Sequence, residues 1–334
     1  MTELEQSAFV TGGSGFIGGR LVQRLVADGW TVRALARSDQ AAARVEALGA
    51  EAVHGDLDSG AALRAGAHGC AYAFHAAAHL GASGDWKAFE HVNVDGTRNA
   101  LAACRDAEVR RFVHVGTEAA LMAGEPLIEV DERAPLRPDS RSPYSATKAR
   151  AEIAVLAASE EGVFETVAIR PRFVWGAGDT TLLPVIVGQV RAGRFAWIGG
   201  GRNRTSTTHV DNVVEGLLAG ARRGRPGNAY FVLDDGGPVV FRDFLSDLLR
   251  TQGVEPPTRS VPTAAARLIM EVGERLPLPG EPPVPRFTFW VASQDCILDD
   301  SKAREQLGYR PAKSRDEGFA EMRGTLRDVV ATGV

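Results

Sequence analysis

The strongest constraint on the fold is a repeated change of hydrophobic period along the first half of the chain. "SAFVTGG" is a short apolar run ending in glycine, and "FIGGRLVQRLVADG" follows with helical spacing and a glycine stop. "WTVRALAR", "AEAVHGDL", "AYAFHAAAH", "RRFVHVGT" and "FETVAIRP" read as further strands. "DQAAARVEALG", "ALRAGAHGC", "VNVDGTRNALAACRDAEV" and the segment from Ser142 read as the helices between them. Strands alternating with helices through short connections are parallel and joined by right-handed crossovers. The predicted class is α/β, a doubly wound parallel sheet. After Pro171 the rhythm changes: glycine-rich loops are followed by proline clusters ("VEPPTRSVP", "LPLPGEPPVPRF") among apolar residues. That composition predicts a smaller, irregular C-terminal lobe. "HVDNVVEGLLAGARRG" reads as a helix returning to the main sheet, with "NAYFVLDDG" a strand beside it.

Bulk properties narrow the partners. The chain has 334 residues, 44% hydrophobic and 24% charged, as in an ordinary soluble protein with a sizeable core. A formal net charge of -4 supplies no electrostatic reason to expect nucleic acid or an anionic membrane. Cys70, Cys104 and Cys296 are scattered and odd in number, which fits a reducing compartment and argues against a disulfide framework or a metal site. With no secretory signal at the acidic N-terminus and no apolar run of membrane length, the expectation is a cytoplasmic protein with a small-molecule partner. A homodimer is left open.

"VTGGSGFIGGRL" places Gly12, Gly15 and Gly18, with Ser14, Phe16 and Ile17 between them, at the turn from the first strand into the first helix. Glycine is needed where a tight turn brings backbone against a pyrophosphate, and the helix N-terminus then offers N–H groups to that anion. The expected ligand is a nicotinamide dinucleotide, held by a Rossmann unit over 7–170 with 206–235 returning to it. Segments 171–205 and 236–330 form the expected substrate lobe. At the end of the second strand, where an NAD-preferring site places a carboxylate, stand Ala36 and Arg37, with Arg33 on the same parity. A guanidinium suits a 2′-phosphate, so NADP(H) is expected over NAD(H), although Arg37 also reads as a solvated loop arginine.

Tyr144 and Lys148 stand four residues apart in "SPYSATK", and so on one helix face. Taken with "TGGSGFIG" (11–18), "GDLD" (55–58), "FHAAA" (74–78), "NVDGTRN" (93–99), "RPRFVWGAGD" (170–179), "HVDN" (209–212) and "DDSKAREQLGYRP" (299–311), they form a pattern. The chain resembles the extended short-chain dehydrogenase/reductases over nearly its full length. Within them it is most similar to the 3β-hydroxysteroid dehydrogenase and dihydroflavonol reductase branch. The resemblance implies that Tyr144 is the acid/base, and that Lys148 lowers its phenol pKa and holds the nicotinamide ribose. It implies that Thr117 positions the substrate carbonyl, with Gly116 where the family usually has a serine. Asp56 and Leu57 should flank the adenine, Ala76, Ala77 and Ala78 line the path to the nicotinamide, and Pro171 and Val174 lie beside its carboxamide. Asn93 matches a family position but equally suits a backbone-holding role, and His209 reads as a buried structural histidine.

Three functions compete: a reductase for a ketone on a fairly apolar (polycyclic, aromatic or steroid-like) molecule, a nucleotide-sugar epimerase or dehydratase, and a non-catalytic NADP sensor. Sugar-nucleotide relatives typically carry an asparagine where Phe173 stands and an arginine where Thr205 stands, and the dehydratases an acidic pair where only Glu118 is found. A sensor tends to lose the tyrosine. The ketoreductase is therefore expected. Phe173, Phe287 and Trp290 are its candidate pocket residues, and Phe289 with Leu268, Ile269 and Met270 supply further apolar lid material. Any of these could instead build only the lobe's core.

Overall fold

The computed structural model of the chain describes residues 6–81, 84–275 and 284–332. Pro277, Pro279, Pro282 and Pro283, part of the expected lid, lie outside the described residues. Seven parallel strands form the central sheet: β1 (Ser7–Thr11), β2 (Thr31–Ala36), β3 (Glu51–His54), β4 (Tyr72–His75), β5 (Arg111–Val115), β6 (Glu165–Pro171) and β7 (Asn228–Val232). Their order across the sheet is β7-β6-β5-β4-β1-β2-β3. The chain thus winds outward in both directions from β1, the doubly wound arrangement expected. The order reverses between β1 and β4, and a crevice opens at the carboxyl ends of the strands there.

Alternation along each strand sends neighbouring side chains into two cores. Ala8 and Val10 pack under α1 (Phe16–Ala27) and α6 (Val210–Arg223), with Leu21, Leu25, Val213 and Leu217. Phe9 and Phe112 face the opposite core with Leu63, Leu101, Cys104 and Val155, beneath α3 (Gly60–Ala67), α4 (Gly96–Asp106) and α5 (Pro143–Ala157). The remaining crossover, α2 (Asp39–Ala47), starts on the Ser38 side chain, which accepts from the Ala41 N–H. The helix read as continuous over 92–109 is split. Residues 90–95 form a wider π-type turn before α4, where the Asn93 side chain clasps the His79 N–H and C=O. Such turns break the regular helical ladder, here in favour of a side-chain clasp.

A second apolar centre belongs to the part of the chain after β6. Phe173, Trp175, Leu183, Trp197, Phe241 and Phe244 are buried together. A neighbouring cluster joins Ala119, Met122, Ile198, Met270, Phe289 and Trp290, with Tyr144 and Phe287 packed against it. Met270 is buried as expected, whereas Leu268 and Ile269 are 62% and 43% exposed. Helical spacing identifies a face but not its partner, and here the described chain covers only one edge of that face.

Charge enters the core under the sheet's active end. Arg170 on β6 reaches Glu152 on α5, Nε to Oε1 being 2.8 Å, with both side chains buried. Gly116, just past β5, leaves the room for this pair: a Cβ there would lie 2.8 Å from the Glu152 Oε2. Removing one member strands the other charge, so Glu152→Gln should cost about 3–5 kcal/mol in urea unfolding. The Glu152→Gln/Arg170→Met double variant should recover most of that loss.

Candidate active site

The turn from β1 into α1 is shaped by glycine because no other residue fits. Gly12 has φ +74, and a Cβ on it would stand 2.5 Å from the Ala77 nitrogen. A Cβ on Gly18 would stand 2.1 Å from the Gly12 carbonyl oxygen. The loops after β1 and β4 therefore touch at the sheet's switch point, bringing Ala76, Ala77 and Ala78 beside the glycine turn. Gly15 is the N-cap residue of α1, with no side-chain cap, so the first-turn N–H groups face the loop of Ser14. Ile17 turns back to pack on the core. This cradle fits the pyrophosphate of a dinucleotide.

Around it, Arg37 is exposed at the end of β2. Arg33 does not join it: its guanidinium caps the end of α3 at the Ala65 and His68 carbonyls. Shared strand parity set the direction of Arg33, but the nearer helix end took its charge. Past β3, the Asp56 carboxylate closes its own turn on Ser59 (2.7 Å) and on the Asp58 N–H. Leu57 is held by Asn99, which donates to its carbonyl (2.9 Å).

The reacting end of the site is assembled from α5 and the end of β5. Ser142 caps α5 by accepting from the Ser145 N–H (3.3 Å), and Pro143 supplies the preset first-turn φ. Tyr144 is consequently fixed one residue inside the helix, with Lys148 a turn further on. The phenol ring lies edge-on between Phe89 (6.5 Å between centroids) and Phe287 (5.2 Å). Lys148 is buried and donates to the Val115 carbonyl (2.8 Å), with His114 Nε2 at 3.3 Å. Burial lowers its pKa to about 8, with Glu152 opposing the shift. Beneath it His114 and His75 stack, both held neutral by burial and by the charge of Lys148.

Two expectations change here. The Tyr144 phenol is raised above the ordinary value rather than lowered, first by burial and then by the Glu118 carboxylate, with the nearby Thr117 side chain opposing. In this chain alone Lys148 spends its ammonium on Val115 and His114. Thr117, expected to donate to a substrate carbonyl, instead directs its proton to Glu118 Oε2 (2.8 Å) and accepts from the Ala119 N–H (3.2 Å).

Of the expected pocket residues, Phe287 is at the phenol. Trp290 is buried in the cluster behind it, against Gly124. Phe173 is not on that wall. It adopts φ +42 and packs edge-on against Phe241 and Phe244 in the lobe's core. Pro171 is buried at the end of β6, and Val174 pairs with Thr208 beyond it. Asn93 ties the His79 backbone to Thr147 on α5 (3.1 Å). His209 caps α6 by accepting from the Asp211 N–H and lies edge-on to Trp175, a structural role. The nearby Asp211 and Glu321 carboxylates are neutralised by Arg20 and Lys313.

Sequence reasoning missed the Glu118–Arg172 pair and Phe89. The signal for the first was present: two arginines flank Pro171 in an otherwise apolar stretch, and buried charges require partners.

A parallel sheet wound from a glycine turn, with a tyrosine and lysine on one helix face at its carboxyl end, defines an extended dehydrogenase/reductase of the short-chain type. The chain belongs to the 3-beta hydroxysteroid dehydrogenase/isomerase family, whose model matches residues 9–263. It is 46% identical, over 94% of its length and 95% of the relative's, to a 4-hydroxy-2-methyl-3-oxo-4-farnesyl-3,4-dihydroquinoline-1-oxide ketoreductase of Stigmatella aurantiaca. It is 35% identical to a 2-alkyl-3-oxoalkanoate reductase of Stenotrophomonas maltophilia, over 95% and 98% of the two chains. Among solved structures, gox2253 superposes with a TM-score of 0.79 at 26% identity, covering 96% and 99% of the two chains. A dTDP-glucose 4,6-dehydratase of Streptomyces venezuelae shares the fold (TM-score 0.76, 24% identity, 97% and 98% covered). The protein is an oxidoreductase acting on CH–OH/C=O groups with a nicotinamide cofactor. Among the described residues no helix is long and apolar enough to cross a membrane.

Because a Cβ at residue 18 collides with the Gly12 carbonyl, Gly18→Ala should weaken dinucleotide binding by roughly fivefold to a hundredfold, from about 1–3 kcal/mol of backbone strain. Cofactor fluorescence titration of the two proteins measures this.

Proposed function

We propose that the protein uses NADPH to reduce a ketone on a fairly apolar, ring-bearing small molecule to the secondary alcohol. The observation that carries this reading is the setting of Tyr144: a phenol clamped between Phe89 and Phe287, with Thr117 nearby and Lys148 a turn away. A proton donor walled by aromatic rings suits a carbonyl on an apolar framework. The two relatives described above are named a ketoreductase and a 2-alkyl-3-oxoalkanoate reductase, the first on a farnesyl-bearing dihydroquinoline.

When bound, the reduced nicotinamide supplies the hydride. Tyr144 donates the proton to the carbonyl oxygen, a step for which its raised pKa keeps it loaded. Thr117 lies near the phenol, and Lys148, which donates at the end of β5, is placed to hold the nicotinamide ribose. Residues 7–170 and 206–235 would hold the dinucleotide, and 171–205 with 236–330 would cover the substrate. The nucleotide-sugar alternative is disfavoured by Phe173, which fills lobe core where those enzymes place an asparagine, and by Glu118, whose carboxylate is already paired with Arg172. The sensor alternative is disfavoured by the presence of both Tyr144 and Lys148.

Incubation with NADPH and a panel of cyclic and aromatic ketones, beside a nucleotide-sugar panel, tests the reading. Cofactor oxidation with ketones alone is expected; sugar interconversion without net cofactor use would overturn it. Tyr144→Phe should still bind cofactor but turn over about 10²–10⁴-fold more slowly.

For the cofactor, Arg37 is exposed where a 2′-phosphate would lie, and no carboxylate stands at Ala36 to repel it. Wild type should favour NADPH over NADH by about tenfold, or 1.4 kcal/mol, and Arg37→Ala should erase the preference. Equal affinities in the wild type would remove the assignment.

A further inference from the structure

Strand β5 turns Phe112 into the core beneath α3, α4 and α5, and two residues on, with the same parity, it places His114. The imidazole is only 1% exposed, and His75 on β4 stacks on it with 5.5 Å between centroids. The two buried rings are satisfied differently, and their hydrogen bonds fix both tautomers. Thr97 gives its one proton to the Asn93 carbonyl (2.6 Å), so His75 must donate to it from Nε2 (3.0 Å). His75 Nδ1 then accepts from the Thr11 hydroxyl (2.7 Å), and this ring has a partner on each nitrogen.

His114 has a partner on one nitrogen alone. Below its pKa of about 8, Lys148 is an ammonium and can only donate. The 3.3 Å contact from Lys148 Nζ therefore makes His114 Nε2 an acceptor. The ring proton is forced onto Nδ1, a buried atom with no hydrogen-bond partner among the described residues. An unpaired buried N–H destabilises a core, and a second phenylalanine would fill the space without one. Packing does not account for the imidazole, whereas its contact with Lys148 does.

Lysine carries its charge on a flexible stem. The Val115 carbonyl alone (2.8 Å) would leave Nζ free to swing about a single hydrogen bond. His114 precedes Val115 on β5, so the two acceptors sit side by side at the strand end and hold Nζ between them. Two of the three ammonium protons are then engaged, and the tetrahedral nitrogen offers the third in one direction, away from β5. We propose that His114 is a positioning residue for the reduction: with the Val115 carbonyl it fixes Nζ of Lys148, so that the remaining N–H meets the bound cofactor in one orientation. His114 acts through Lys148 and touches neither cofactor nor substrate. This role deepens the ketoreductase reading and rests on it.

Two substitutions separate positioning from packing. His114→Phe keeps a ring against His75 and removes the acceptor, while His114→Gln keeps an acceptor oxygen at about the reach of Nε2. His114→Phe should lower kcat for ketone reduction with NADPH about tenfold to a hundredfold, the size of a hydrogen bond to a charged group. His114→Gln should keep most of the rate. A purely structural role predicts the reverse order, because phenylalanine suits an apolar core better than a carboxamide does. Wild-type kcat in His114→Phe, or a loss in His114→Gln as large as in His114→Phe, overturns the proposal. In a Lys148→Met background His114→Phe should cost nothing further, since residues acting as a unit are not additive; a second full loss overturns it. A measurement without turnover uses the wild-type protein. Imidazole nitrogen NMR shifts, recorded below the Lys148 pKa and assigned by the signal lost in His114→Gln, should show His114 protonated on Nδ1 and His75 on Nε2. His114 protonated on Nε2, or on both nitrogens, overturns the proposal. A chain that shows the Nδ1–H form yet leaves every ketone untouched fails the ketoreductase reading instead.

Discussion

The contact between Gly18 and the Gly12 carbonyl is the constraint on which the rest of the architecture depends. It lets α1 start directly against β1, so the chain can turn within a few residues and lay its first helix on the sheet. The same turn touches Ala76 and Ala77 after β4. That closes the floor of the crevice exactly where strand order reverses, and places an uncapped helix N-terminus above it. A larger side chain at either glycine would push these loops apart, and β1 and β4 could no longer present one surface to an anionic ligand.

From that floor the proposed catalytic parts are reached across the sheet by rigid elements. Tyr144 and Lys148 come from the first two turns of α5, which is pinned at its start by Ser142 and along its side by the Asn93 clasp. Phe89 and Phe287 then meet the phenol from two segments almost two hundred residues apart. The phenol thus sits where the sheet and the later chain meet, and under the proposed reading a substrate held there would lie at the phenol.

Two buried ion pairs sit beneath this wall, and they have a common origin. Arg170 and Arg172 stand two residues apart around Pro171, so both guanidiniums leave the same face of the chain. The first meets Glu152 on α5 and the second Glu118 after β5. Such pairs add little net stability compared with apolar packing, but neither partner can be lost alone. What they contribute is position: one secures α5 at the level of Lys148, and the other, through Glu118, holds the Thr117 hydroxyl in the turn after β5.

Local sequence determined most of the fold. The alternation of strand and helix periods, the glycine turn and the Ser-Pro start of α5 each act over a few residues, so the parallel sheet, the cradle and the Tyr144–Lys148 face were all legible before any packing was known. What lay beyond local reach was decided by tertiary contact. Arg33 had the right parity for the cofactor but lay nearer the end of α3. Phe173 had the right composition for a pocket but was absorbed by Phe241 and Phe244. Leu268 and Ile269 kept helical spacing yet faced outward. Glu118 looked like a lone acid, and only the fold brought Arg172 from fifty-four residues away to hold it. Spacing along a chain states which side chains share a face. Which partner a charge or an aromatic ring finds depends on distances between elements that no local pattern encodes.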